Sequence, residues 1–233
     1  MINRPIPRTL MSSSGFTLVE ILVAIAIFAV VMTTVFGSFQ AVFSNNEKIR
    51  QSDVAIEAAK DCFDRMVIDL SEIYIPQSPY YKPPGINDPA TAYRVVADTA
   101  VVENREFSRL RFTSLAHTAM GLNPADGIAE IVYYVMPAGE DRLDLRRSDT
   151  LFPYRSFEPR KTDPILCRNI GAFVVELVDH EGKTHPRWNS DGEDFEYATP
   201  RAVNILVAIG QPPEERKFET TVRLPVFREA ERP

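Results

Sequence analysis

The sequence predicts an α+β protein, with one long helix followed by a run of antiparallel strands. Three observations lead there. The chain of 233 residues has 18 prolines, yet none lies among residues 9–75. A quarter of all residues are charged, yet residues 9–46 hold a single charge, Glu20. From residue 93 onward, short β-branched and aromatic runs alternate with turn-forming segments. This division is poorly compatible with a uniform soluble chain, a disordered one or a multi-span membrane protein.

The bulk numbers exclude some partners. A net charge of −6 and a pI near 5.2, with no five-residue basic run, argue against nucleic acid, whose phosphates demand clustered Lys and Arg. Cys62 and Cys167 are too few for a disulfide scaffold or a four-thiolate zinc site. They are expected to be two separate buried thiols, with pairing in an oxidising compartment as the alternative.

The helix comes first. Proline costs about 3 kcal/mol inside a helix, so its absence up to Ile75 is what one long helix requires. The apolar stretch 16–43 would extend about 42 Å as a helix, beyond the roughly 30 Å hydrocarbon core of a bilayer. Arg4 and Arg8 precede it and place the N-terminus in the cytoplasm, with the rest of the chain across the membrane. A secretory signal would have a shorter apolar run and a small-residue cleavage site after it. Here Ser12, Ser13, Ser14 and Gly15 stand before it.

Glu20 needs a reason. A carboxylate in a membrane helix costs about 2.5–3.5 kcal/mol. Either it lies shallow and reaches the headgroups, or a positive group meets it in an assembled state. A cut after Gly15 would give Phe16 a new α-ammonium group about one turn from Glu20. Between staggered neighbouring subunits, that pair would neutralise both charges and set the register.

Residues 44–75 continue as an amphipathic helix. Ile49, Ile56, Ala59, Phe63, Met66, Leu70 and Ile73 mark an apolar face, expected to pack on the protein's own sheet. Ser44 followed by Glu47 resembles a capping box, so the helix either restarts there or runs through with a soft joint near Gly37. Pro76, Pro79, Pro83, Pro84 and Pro89 then open a loop. Strands are expected at 93–98, 107–114, 128–136, 142–147, 170–179, 203–209 and 218–226. The second pair of these, 128–136 and 142–147, reads as a hairpin around residues 137–141.

Gly15-Phe16-Thr17-Leu18-Val19-Glu20, with its short basic leader and apolar run, resembles the class III prepilin signal of type IV pilins and type II secretion pseudopilins. Weaker segments extend the resemblance over most of the chain. Leu110–Ser114, Glu130–Val135, Leu145–Arg147, Phe173–Asp179 with Gly182 and Trp188, Pro200–Val203 and Phe218–Pro225 are similar to the minor pseudopilin J family of the general secretion pathway. The Pro-rich stretch 80–89 departs from that family's pattern.

The resemblance implies a type IV pilin-like fold divided into leader 1–15, transmembrane segment 16–43, periplasmic helix 44–75 and β-rich head 76–233. It implies cleavage between Gly15 and Phe16 by a prepilin peptidase, methylation of the new N-terminus and a role for Glu20 in assembly. The implied partners are that peptidase, the other minor pseudopilins equivalent to I and K, the major pseudopilin and the inner-membrane assembly platform. The implied site of action is the tip of a pseudopilus that supports protein export. A type IV pilus minor pilin shares every N-terminal feature. The rival from another class is a membrane-anchored periplasmic enzyme or binding domain.

No cofactor is expected. Four carboxylates lie within 189–196, and some pseudopilins bind Ca²⁺, which makes Asp191, Glu193 and Asp194 weak candidates. The spacing is not that of an EF-hand, so a solvated acidic loop is expected. His117, His180 and His185 lack zinc-motif spacing and are expected at the surface. Neither a Gly-x-Ser-x-Gly element nor a phosphate-binding glycine loop is present, and no catalytic residue is assigned. Tyr74, Tyr80, Tyr81 and Tyr93 among the prolines either form an interaction patch or pin their loop to the head.

Overall fold

The computed structural model describes residues 17–85, 88–118, 126–139, 141–213 and 215–230, with only the backbone described at 41–53. The chain divides into two compact units, Met1–Ser52 and Asp53–Pro233. One helix, α1 (Leu18–Ser71), runs without interruption through the predicted joint at Gly37 and the predicted cap at Ser44. The capping residues therefore sit inside a helix, and no restart occurs.

Among the described residues, the second unit holds the end of α1 and ten strands. These are β1 (Val96–Val102), β2 (Arg105–Ser114), β3 (Ala129–Gly139), β4 (Arg142–Leu151), β5 (Ile165–Cys167), β6 (Ile170–Val178), β7 (Thr184–His185), β8 (Trp188–Asn189), β9 (Ala202–Ile209) and β10 (Arg216–Arg223). They build two sheets, ordered β5-β4-β3-β2-β1-β8 and β10-β9-β6-β7. All pairings are antiparallel. The α+β arrangement expected from the sequence is the one observed.

The predicted strands are all present with shifted ends, and the short β5, β7 and β8 are additional. The β1–β2 hairpin closes through Glu103 and Asn104 at φ 50° and 62°. Two successive positive φ values give the turn the twist that antiparallel neighbours need, and asparagine tolerates that conformation well.

The sheets meet where β6 packs against β2 and β4. Phe107, Leu110, Phe112, Tyr133, Leu143, Leu145, Phe173, Val175, Leu177, Val203, Ile205 and Val207 belong to one continuous buried core. Alternation along β6 and β9 sends these side chains inward while Val174, Glu176 and Asn204 face out.

The end of α1 joins the core through Ala59, Cys62, Met66, Leu70 and Ile73. The predicted stripe was close but included Ile56, which is 50% exposed, and omitted Cys62 and Asp69, which are fully buried. The stripe thus runs 59, 62, 66, 69/70, 73 and carries a thiol and a carboxylate that a hydropathy reading passes over. The helix stops at Ser71 because β2 takes over its last carbonyls. The Ser114 hydroxyl donates to Asp69 O at 2.8 Å and Leu115 N–H donates to Glu72 O at 2.9 Å. Tyr74 N–H then donates to Thr113 O at 2.8 Å, and the chain leaves toward Pro76 already in β geometry.

Candidate functional site

The first unit exposes an apolar cylinder. Leu18–Gln40 is long and apolar enough to cross a membrane, with a mean hydropathy of 2.6 and none of its side chains buried within the protein. Leu18, Val19, Leu22, Ile25, Phe28, Val31, Phe36 and Phe39 point in every direction around the axis. A helix apolar all round belongs in a lipid or protein environment rather than in water.

Its hydroxyl groups suit that setting. Thr33 Oγ1 donates to Ala29 O at 2.6 Å, Thr34 Oγ1 to Val31 O at 2.8 Å and Ser38 Oγ to Thr34 O at 2.9 Å. Each donor is satisfied inside the helix, as a bilayer core requires.

Glu20 lies in the first turn, where Thr17 acts as a cap. Glu20 N–H donates to Thr17 O at 3.1 Å and to Thr17 Oγ1 at 3.3 Å. A carboxylate in the first turn is also favourably placed with respect to the helix dipole. It shares a groove with Ile21, Ala24, Ile25 and Phe28, so its near neighbours are aliphatic or aromatic. Gly15 and Phe16, the predicted cleavage and methylation positions, lie outside the described residues.

A second concentration of charge sits under α1 in the head and escaped sequence reasoning. Asp69 is fully buried, and Arg147 on β4 grips it with Nε at 2.7 Å from Oδ2 and Nη2 at 3.0 Å from Oδ1. The Tyr133 hydroxyl donates to Asp69 at 2.6 Å, and Arg65, one turn earlier on α1, reaches Asp69 at 2.5 Å. Burial, reinforced by the neighbouring Asp69 charge, pushes the Tyr133 phenol well above its usual range.

Arg147 also donates to Asp149, whose other oxygen is 2.6 Å from His117 Nδ1. Burial alone would raise the Asp149 pKa. The Thr118 N–H, Arg147 and His117 outweigh it and hold the carboxyl below its usual range. The cluster ties α1 to the middle of the large sheet. It has the character of a structural ion network, since every carboxylate faces a guanidinium, an imidazole or a hydrogen-bond donor.

The acidic run 189–196 is folded rather than free. Asp191 accepts hydrogen bonds from Thr91 N–H at 2.7 Å, Thr91 Oγ1 at 3.0 Å and the Tyr81 hydroxyl at 3.2 Å. Glu193 and Asp194 lie in a 3-10 helix, Glu193–Phe195. Among the described residues, no group of three His, Cys, Asp or Glu side chains is gathered to hold a metal ion. Asp191 instead pins the proline-rich loop. Tyr81 is buried beneath the Arg228 guanidinium, 3.2 Å from the ring centroid, while Tyr80 beside it is 91% exposed. The tyrosines thus divide, with Tyr81 serving the loop and Tyr80 facing solvent.

The histidines also differ from expectation. Only His180 is well exposed. His117 pairs with Asp149, and His185 Nε2 lies 2.7 Å from Asp179 Oδ2 with its ring against Trp188 and Phe195. Both carboxylates lie near the histidine in space but were unpaired in a linear reading. Cys62 and Cys167, distant in sequence, are both buried in one core cluster, where their thiols interact with each other.

Residues 10–36 match the model of the prokaryotic N-terminal methylation motif. The match contains Gly15, Phe16 and Glu20 and most of the apolar cylinder. No curated protein matches the chain. A prepilin-type methylation motif, an N-terminal helix compatible with single-pass anchoring and an antiparallel β-rich head after it together support a type IV pilin-like protein.

Proposed function

We propose that the chain is a minor pseudopilin of a type II secretion system, a structural subunit rather than an enzyme. The observation that carries this reading is the methylation motif at 10–36 at the start of an uninterrupted helix that ends in a β-rich head. In this reading a prepilin peptidase cuts between Gly15 and Phe16 and methylates Phe16. The helix then holds the subunit in the inner membrane, with the head in the periplasm. Extraction into a filament replaces lipid around the helix with the helices of neighbouring subunits. Both environments suit side chains that are apolar in every direction.

Glu20 supplies direction. Its carboxylate is costly in lipid unless neutralised, so a subunit whose N-terminal ammonium group meets the Glu20 of a neighbour is favoured at one axial offset. The similarity of the head segments to the minor pseudopilin J family supports a place at the pseudopilus tip, with I- and K-like subunits and the major pseudopilin as partners.

The test is the mass of the N-terminus in protein extracted from membranes. An N-methylated Phe16 start is expected. A start at Met1, or a cut near residue 40, overturns the reading. Glu20→Ala is expected to leave cleavage intact and to abolish most filament incorporation and secretion. Unchanged secretion would remove the register role from Glu20.

A further inference from the structure

We infer that Cys62 and Cys167 close an intramolecular disulfide that clamps α1 to the edge strand β5. Cys62 lies on the buried stripe of α1 and Cys167 ends β5, the outermost strand of the large sheet. Both belong to the same core cluster, and their thiols interact within it. Buried thiols that act as small hydrophobes have no need of each other. These two come from positions far apart in the chain, one on α1 and one at the end of the three-residue edge strand β5.

The Cys62 thiol is pushed up by its hydrogen bond to Cys167, and further by burial. Cys167 is pulled down because it receives that hydrogen bond, an effect that outweighs burial and the nearby Asp144. Cys167 ends a three-residue edge strand, so it is the sulfur that an oxidant reaches first. Both sulfurs are shielded in the closed fold. Local opening of the three-residue β5, or incomplete folding, exposes Cys167 without disturbing the rest of the sheet.

The oxidant required is a protein or small molecule that carries a reactive disulfide. The Cys167 thiolate attacks one sulfur of that disulfide. Its S–S bond breaks and the departing sulfur leaves with the electron pair and takes up a proton. The Cys62 thiolate, its proton lost to solvent, then attacks Cys167 in the mixed disulfide. The Cys62–Cys167 bond forms and the second sulfur of the oxidant leaves as a thiol. The head loses two protons and two electrons, and the oxidant gains both.

Formation in the cell rests on the periplasmic head proposed above, because the cytoplasm would keep the thiols reduced. The test uses the full chain in two arms. In the first, cells are quenched in acid and the denatured protein is treated with a maleimide–polyethylene glycol reagent. Neither cysteine is expected to react until the sample is reduced, and peptide mapping should join Cys62 to Cys167. In the second, the reduced chain is purified in detergent and treated with oxidised glutathione, which is expected to form the same bond. Reduction should lower the melting temperature of the head by several degrees. The double variant Cys62→Ala, Cys167→Ala should melt identically with and without reductant. A bond formed only with glutathione supports the pairing and overturns the periplasmic placement. Thiols that stay reactive in both arms, or a bond that links two chains, overturn the pairing.

Discussion

At the scale of single residues, the buried Asp69 joins α1 to β3 and β4. It accepts from Arg147, Arg65 and Tyr133 at once, which compensates for its complete removal from water. Asp69→Ala would strand the Arg147 guanidinium in the core, at a cost of about 3–5 kcal/mol. The expected result in thermal unfolding is a large loss of stability. A loss below about 1 kcal/mol would mean that water reaches the cluster. Asp149 makes a separate prediction. Its folded pKa is depressed by Thr118, Arg147 and His117, so its contribution is fully present above the unfolded value of about 4 and is lost as pH falls through the lower folded value. Asp149→Asn should therefore melt lower than the wild type at pH 7, with the difference shrinking below about pH 4. Glu130 has the opposite sign. Burial raises its pKa despite Arg111, so its contribution is present at low pH and lost as pH rises through the carboxylate range.

Elements differ in how their sequence relates to their placement. The first half of α1 presents an apolar surface on all sides, and no particular face of it is selected by the sequence. The second half is selective, and the register is tested by two alanines. Met66 is fully buried and Ile56 half exposed, so Met66→Ala is expected to cost about 2–5 kcal/mol and Ile56→Ala less than about 0.5 kcal/mol. Equal losses in denaturant titrations would place the buried stripe elsewhere. The sheet edges also follow a logic of their own. β10 is an eight-residue edge strand with Arg216, Lys217, Glu219 and Arg223, charges that discourage unwanted strand addition. β5, at the edge of the other sheet, is protected by being short. Its attachment to α1 through the cysteine pair matters more because three residues form few ladder hydrogen bonds.

For the whole molecule, the division at Ser52/Asp53 separates a unit that carries the apolar span Leu18–Gln40 from a unit with its own core. A chain that begins at Asp53 is expected to be soluble without detergent and to unfold cooperatively. Detergent dependence of that fragment would indicate that residues before Asp53 complete the head. Much of this plan was legible in the sequence. The missing prolines and the charge-poor stretch announced a long apolar helix, because helical hydrogen bonding and bilayer partitioning both depend on local composition. Glu20 stood out for the same reason, as one carboxylate in a segment that otherwise carries none. The principal strands were legible from period-two alternation, which is also local. What only the tertiary structure decided was which distant groups meet. Asp69 with Arg147, Asp191 with Thr91, and Cys62 with Cys167 are contacts set by sheet order and helix register. No periodicity encodes them, because a polar residue reads as surface until the partner that makes its burial tolerable is known.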